Sequence, residues 1–113
     1  MLPAVTKKFK DRSTDRYFGF TFYCDECGAA WESDRYPFSM RDAPTGSTGE
    51  KNAHVLMWKA EHDAAYERAN NEALLQFNKC PKCGRRVCDN CFSEVAVICL
   101  NCKNLKSKEA THP

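Results

Sequence analysis

The sequence contains no long apolar run. No stretch approaches the roughly 18 consecutive apolar residues that a membrane-spanning helix needs. Residues 1–10 also lack an apolar segment and carry Lys7, Lys8 and Lys10, which is not the pattern of a secretory leader. Both absences favour a protein that neither inserts into a membrane nor enters the secretory route.

Signatures of common catalytic chemistry are absent as well. There is no Ser-His-Asp signature and no glycine-rich phosphate loop. Two of the three histidines, His54 and His62, are eight residues apart, whereas histidines that share a metal on a helix are spaced by three or four. The third, His112, lies near the end of the chain. We therefore expect no enzymatic activity and no small-molecule substrate.

No cysteine stands outside a Cys-x-x-Cys pair. Such a turn places two thiolates where they can share one tetrahedral metal, and two turns complete a closed four-thiolate zinc site. The sequence therefore predicts two structural zinc ions, which would supply much of the folding free energy. The eight predicted ligands are Cys24, Cys27, Cys80, Cys83, Cys88, Cys91, Cys99 and Cys102.

Disulfides and a redox pair are the competing interpretations of these cysteines. Disulfide frameworks belong to secreted chains and rarely place every cysteine at the same i, i+3 spacing. A thioredoxin-like pair needs one motif in a βαβ setting, not four motifs. Structural zinc fits better, and reduced thiols imply a reducing compartment, so we expect a cytoplasmic protein.

The sequence leaves open which pairs share a metal. In an interleaved scheme the first pair joins the third and the second joins the fourth. In a sequential scheme the first joins the second and the third joins the fourth. Sharing between the two central pairs, Cys80/Cys83 and Cys88/Cys91, is least favoured, because a four-residue linker would have to reverse the chain within one coordination sphere.

The predicted fold is a small α+β domain in which β-hairpin zinc knuckles accompany one long helix. Phe18, Phe20 and Phe22 recur at every second position of the run 17–23 ahead of the first knuckle, which predicts a strand, and 29–33 is a candidate return strand. The link 92–98, with its β-branched Val95, Val97 and Ile98, predicts a further short strand. The predicted divisions are a flexible arm at 1–16, a double-zinc domain at 17–102 (first hairpin 17–36, inserted helix 50–78, second cysteine cluster 79–102) and a basic tail at 103–113.

Good helix formers dominate the predicted helix at 50–78, and the segment contains no Pro or Gly. Ser47 and Glu50 are spaced as a capping box at its start. One stripe of the helix is mostly alanine, which lets another backbone approach closely. We favour a core-packing helix over a partner-binding helix or a dimer seam.

The net charge is only +2, but residues 79–113 hold seven basic and three acidic side chains. Lys82, Arg85 and Arg86 are candidate contacts for an anion or an acidic partner. The favoured alternative is charge balance, because a zinc held by four thiolates carries about −2 overall and attracts cations.

The run Cys80-x-x-Cys-Gly-x-x-Val-Cys-x-x-Cys91 resembles the central half of FYVE-type, treble-clef zinc fingers, with Val87 at the family's hydrophobic position. The resemblance covers residues 80–102 and implies the interleaved sharing of ligands. The family's lipid-binding motifs are absent, so phosphoinositide binding is not implied. RING fingers also interleave their ligands, but they normally include a histidine, and LIM domains space their pairs differently.

These features predict a non-enzymatic zinc-binding module that acts as a protein-interaction or adaptor domain with another protein as its partner. An alternative is a nucleic-acid-binding zinc ribbon that uses the basic 79–108 region. A weaker alternative is a RING-like scaffold of a ligase.

Overall fold

The computed structural model describes residues 3–104. One long helix lies among several short antiparallel strands, so the predicted small α+β fold is confirmed in its class. The elements are β1 (Phe9–Asp11), β2 (Tyr17–Phe18), β3 (Phe20–Tyr23), β4 (Ala30–Glu32), β5 (Tyr36–Pro37), α1 (Thr48–Gln76), β6 (Asn78–Lys79), β7 (Arg86–Val87), a 3₁₀ turn (Asp89–Cys91), β8 (Phe92–Ser93) and β9 (Ile98–Cys99).

The strands before the helix form two small sheets. β3 is the centre of an antiparallel sheet of order β1-β3-β4, in which Phe22 lies opposite Phe9 on one side and Trp31 on the other. β2 pairs instead with β5. The predicted single strand is thus divided at Gly19, although its alternation holds, since Phe18, Phe20 and Phe22 are all buried.

Part of the predicted flexible arm is a strand. β1 pairs with β3 along its whole length, and Phe9 stacks on Phe22 with ring centroids 6.0 Å apart. Ahead of it, the Val5 amide donates to Asn70 Oδ1 at 2.8 Å. Without β1, the backbone groups on that edge of β3 would lack partners, which explains why this polar segment pairs. Residues 1–2 of the arm lie outside the described residues.

The predicted helix is confirmed, beginning and ending two residues earlier than expected. Ser47 and Glu50 form the predicted capping box, and the chain is extended again at Phe77. The buried face carries small residues around Tyr66, which allows the helix to pack closely on β2 and β3. The buried helix residues are Ala65, Tyr66, Ala69, Asn70 and Ala73.

Both histidines of the helix lie against this aromatic core. His62 stacks on Trp58 at 4.7 Å, and its ring nitrogen lies 2.6 Å from an Asp11 carboxylate oxygen. His54 meets the ring of Phe38 edge-on at 4.9 Å. Neither histidine joins a group of metal-binding side chains in the described part of the chain.

Two hairpins follow the helix, β6–β7 and β8–β9. The link to the last cysteine pair, 92–98, is predicted as one short strand, and that expectation is wrong for most of its length, since only its two ends belong to β8 and β9. The chain turns between Ser93 and Ile98, with Val97 at a φ of 58°. The Val97 amide donates to Ser93 O at 2.7 Å, which closes the turn.

No helix within residues 3–104 is long and apolar enough to cross a membrane. The predicted basic tail falls mainly on residues 105–113, which lie outside the described residues.

Candidate metal centres

The eight cysteines form two groups of four. The first cluster contains Cys24, Cys27, Cys88 and Cys91, and the second cluster contains Cys80, Cys83, Cys99 and Cys102. Within each cluster all sulfur atoms lie within 4.8 Å of one another. Each cluster therefore combines two Cys-x-x-Cys pairs that are not neighbours in the sequence: the first pair lies with the third, and the second with the fourth.

The sulfur separations suit a tetrahedral metal. Cys27 and Cys88 sulfurs lie 3.6 Å apart, Cys83 and Cys99 3.7 Å, and Cys80 and Cys102 3.8 Å. Four sulfurs placed about 2.3 Å from a tetrahedral zinc would lie about 3.8 Å from each other. A disulfide would bring two of them to about 2.05 Å. The clusters thus have the size of a four-thiolate metal site.

Two glycine-ended knuckles bring the first members of each cluster together. Gly28 and Gly84 follow the second cysteine of their pairs with φ of 77° and 74°, in the left-handed region that glycine adopts without steric cost. The Gly28 amide donates to Cys24 O at 3.0 Å, and the Gly84 amide donates to Cys80 O at 2.8 Å. The two knuckles therefore have the same local geometry.

Backbone amides point at the cysteine sulfurs. Cys24 Sγ accepts from the amides of Glu26 at 3.4 Å, Cys27 at 3.5 Å and Cys88 at 3.3 Å. In the second cluster, Cys99 Sγ accepts from the Cys102 amide at 3.4 Å. Amide donors stabilise a thiolate over a thiol, so the backbone prepares these sulfurs for a cation.

The pKa values of two thiols reflect this arrangement. Burial raises the pKa of Cys24, but the backbone hydrogen bonds from Cys27, Cys88 and Glu26 outweigh it and lower that pKa to about 7. At Cys80 burial is likewise outweighed by backbone hydrogen bonds, which lower its pKa to about 6. Both thiols therefore ionise more readily than an ordinary cysteine.

The last cysteine of each cluster behaves oppositely. Burial, followed by the sulfurs of Cys27 and Cys88, raises the pKa of Cys91. The neighbouring sulfur of Cys99, followed by burial, raises the pKa of Cys102 to about 12. Four thiolates cannot share one small space without a positive charge. A divalent cation would supply that charge, and four cysteine sulfurs are a donor set that zinc accepts.

Arg85 lies between the two clusters. A hydrogen bond from its side chain, and then one from its amide, lowers the pKa of Cys83. Its guanidinium also lies 2.7 Å from a Glu26 carboxylate oxygen, with only 23% of the Arg85 side chain exposed. Of the three predicted anion contacts, Arg85 is thus engaged within the molecule, Lys82 is exposed, and Arg86 is half-buried.

Sequence reasoning missed the contacts of the two acidic residues of the first knuckle, Asp25 and Glu26. Asp25 accepts from the Lys7 amide at 2.8 Å and from the Arg86 amide at 2.9 Å, while Glu26 pairs with Arg85. In the sequence, a position between two cysteines of a knuckle looks like an exposed turn. The contacts of Asp25 and Glu26 become visible only when the segments that pack against the knuckle are known.

Comparison of the chain with protein-family models, with curated proteins and with solved structures gives no match.

Proposed function

We propose that the chain binds two zinc ions, one in each cluster, and that the ions are structural. The observation that carries the proposal is the gathering of eight cysteines into two four-sulfur groups with tetrahedral spacing. Four protein ligands leave no open position for a substrate or an activated water, unlike catalytic zinc. The ions would then act by joining distant parts of the chain.

The ligand sharing we propose is interleaved: the first pair with the third, and the second with the fourth. The sulfur positions support this scheme, since the first cluster combines residues 24 and 27 with residues 88 and 91. It is also the sharing implied by the resemblance to FYVE-type, treble-clef fingers. We therefore propose that kind of scaffold without its lipid site.

Metal analysis of the purified, reduced chain tests the first part. We expect about two zinc ions per molecule, by the ligand count of four per ion. A content near zero would overturn the proposal.

A pair of matched quadruple variants tests the sharing. Replacing Cys24, Cys27, Cys88 and Cys91 by serine should leave one intact site, with the visible cobalt spectrum of four thiolates. Replacing Cys24, Cys27, Cys80 and Cys83 should leave two half-sites and no such spectrum. The sequential scheme predicts the reverse. If either variant does not fold, cadmium–proton correlation spectra of the intact chain assign the cysteines of each ion directly.

We further propose that the module docks another protein in a reducing compartment, as an adaptor. Apolar side chains that the fold leaves in solvent support this: Leu56 is 67% exposed, Leu75 85% and Val95 94%. Exposed apolar side chains mark contact surfaces more often when they cluster. Val95 and Val97 form such a cluster in the turn of the β8–β9 hairpin.

Nucleic-acid binding is the competing proposal, and a salt titration separates the two. The Arg85–Glu26 pair favours a protein partner, since it withdraws one predicted cation from external contacts. We expect no anisotropy change with single-stranded or duplex oligonucleotides even at low salt. Binding that falls steeply with salt, and that weakens in Lys82→Ala and Arg86→Ala, would favour nucleic acid instead.

A further inference from the structure

The two clusters are joined by a very short segment. Cys83 belongs to the second cluster and Cys88 to the first, and the four residues between them include the strand β7. Arg85 and Arg86 therefore lie directly between two ligand sets. Any movement of Cys83 is transmitted to this segment by the backbone.

The first knuckle docks on the same segment. The Asp25 amide donates to Arg86 O at 3.0 Å, and the Arg86 amide donates back to Asp25 Oδ2 at 2.9 Å. Next to this reciprocal pair, the Cys88 amide donates to Cys24 Sγ at 3.3 Å. The position of Cys24 and Cys27 thus depends on the conformation of the segment between the clusters.

Arg85 connects the two sides of this junction. It lies two residues after Cys83, a ligand of the second cluster, and its side chain lowers the pKa of that thiol. Its guanidinium pairs with Glu26, which lies between the two ligands of the first knuckle. The ion pair is mostly shielded, with 23% of the Arg85 and 30% of the Glu26 side chain exposed. Charge-assisted contacts in such a place constrain geometry more than exposed pairs do.

We propose that this junction couples the two metal sites, so that an ion in one raises the affinity of the other, with Arg85 as the positioning residue. The inference rests on the proposed function, since it requires both clusters to bind metal. An ion on Cys83 holds Arg85 and Arg86 in place, and these hold the knuckle that carries Cys24 and Cys27. By linkage, an ion in the first cluster strengthens the second by the same factor.

Native mass spectrometry of the reduced chain during zinc titration measures the coupling. Two equal, independent sites leave about half of the molecules with one ion at half-saturation, and a coupling of about 5- to 150-fold lowers that fraction to about 30–8%. We expect the unaltered chain to fall in the lower range. A one-ion fraction of half or more that the junction variants leave unchanged would overturn the coupling.

Variants at the junction test its route. Glu26→Gln and Arg85→Gln should still bind two ions at saturation, but their one-ion fraction should rise towards half. Arg85→Lys, which retains the charge but not the planar fork, should lie between Arg85→Gln and the unaltered chain. Lys82→Gln, between the two cysteines of the second knuckle, and Glu94→Gln, in the turn of the β8–β9 hairpin, change exposed charges. They are the matched controls and should behave as the unaltered chain.

Each remaining outcome decides the question. Junction variants that match the unaltered chain, with the controls also unchanged, would overturn the role of Arg85. An intact chain that binds no zinc would refute the proposed function and this inference together. If Arg85→Gln does not fold, as judged by helix content, the nearly isosteric Glu26→Gln carries the test alone.

Discussion

Asn70 ties the first described residues to the helix. Its side chain is 5% exposed, accepts from the Val5 amide at 2.8 Å and donates to Pro3 O at 3.0 Å. Its neighbour Asn71 is exposed. Two adjacent asparagines thus have unlike roles, which no local pattern distinguishes.

Replacing Asn70 by alanine should therefore lower the free energy of unfolding by about 1–3 kcal/mol, because it removes two part-buried hydrogen bonds, one with the Val5 amide and one with the Pro3 carbonyl. Urea unfolding measures the change. Asn71→Ala is the control and should change stability by less than about 0.5 kcal/mol. Equal effects of the two variants would contradict the role of Asn70.

Tyr36 gives the stability a dependence on alkaline pH. Burial, then its hydrogen bond to Glu72 at 3.1 Å, raises the pKa of the Tyr36 phenol to about 12. A raised pKa means that the folded state favours the neutral phenol. Its contribution is complete below pH 10, the pKa of an unperturbed tyrosine, and is lost as the pH rises through about 12.

Tyr36→Phe should accordingly cost about 1 kcal/mol near neutral pH, a value reduced for partial exposure. The difference from the unaltered chain should shrink between pH 10 and 12. Denaturant unfolding across this range measures it, with the exposed Tyr17→Phe as the control. A difference that stays constant to pH 12 would contradict the assignment.

At the scale of the element, the helix shows why a sequence pattern can predict an element but not its neighbours. Helix formers and the Ser47–Glu50 spacing are local, so they predicted α1 and its cap. The buried face around Tyr66 packs on β2 and β3. The stripe of alanines predicted that another backbone approaches the helix closely, but not which strands supply it. The segment at β1 has no such local signal, since its pairing depends on β3.

The β8–β9 hairpin contains a strained residue. Val97 has a φ of 58°, a left-handed conformation that costs a β-branched residue about 1–2 kcal/mol. The hydrogen bond from its amide to Ser93 O and the bond from the Ala96 amide to Ser93 Oγ hold the turn in this form.

Val97→Gly should for this reason stabilise the protein by up to about 1 kcal/mol, since glycine adopts this conformation freely. Thermal unfolding of the zinc-loaded chain measures the change. Val95→Gly, in the same turn but without a positive φ, should be neutral or destabilising. If Val97→Gly is the more destabilising of the two, the strain is not relieved by glycine.

At the scale of the whole molecule, the clusters close long loops. The sulfurs of Cys27 and Cys88 lie 3.6 Å apart although 61 positions separate them in the sequence. The helix lies inside that loop and packs on β2 and β3, the strands of buried phenylalanines that precede the first knuckle. The proposed zinc ions would therefore stabilise the entire domain rather than one knuckle.

Removal of metal should then destabilise the chain as a unit. With a strong chelator under reducing conditions, we expect the near-ultraviolet circular dichroism of the buried aromatics to be lost and the unfolding temperature to fall steeply, since metal binding and folding are linked. Re-addition of zinc should restore both signals. A chain that keeps its tertiary signal in chelator would contradict this dependence.

The sequence by itself determined the eight cysteines of the candidate metal centres, the helix with its cap, and the alternating buried phenylalanines, because each depends on spacings of a few residues. Only the tertiary structure decided which cysteine pairs lie together, that β1 completes the first sheet, and that Asp25 and Glu26 dock on the segment between the clusters. These depend on contacts between residues far apart in the chain. No short-range pattern encodes such contacts, and packing selects among the arrangements that the local sequence permits.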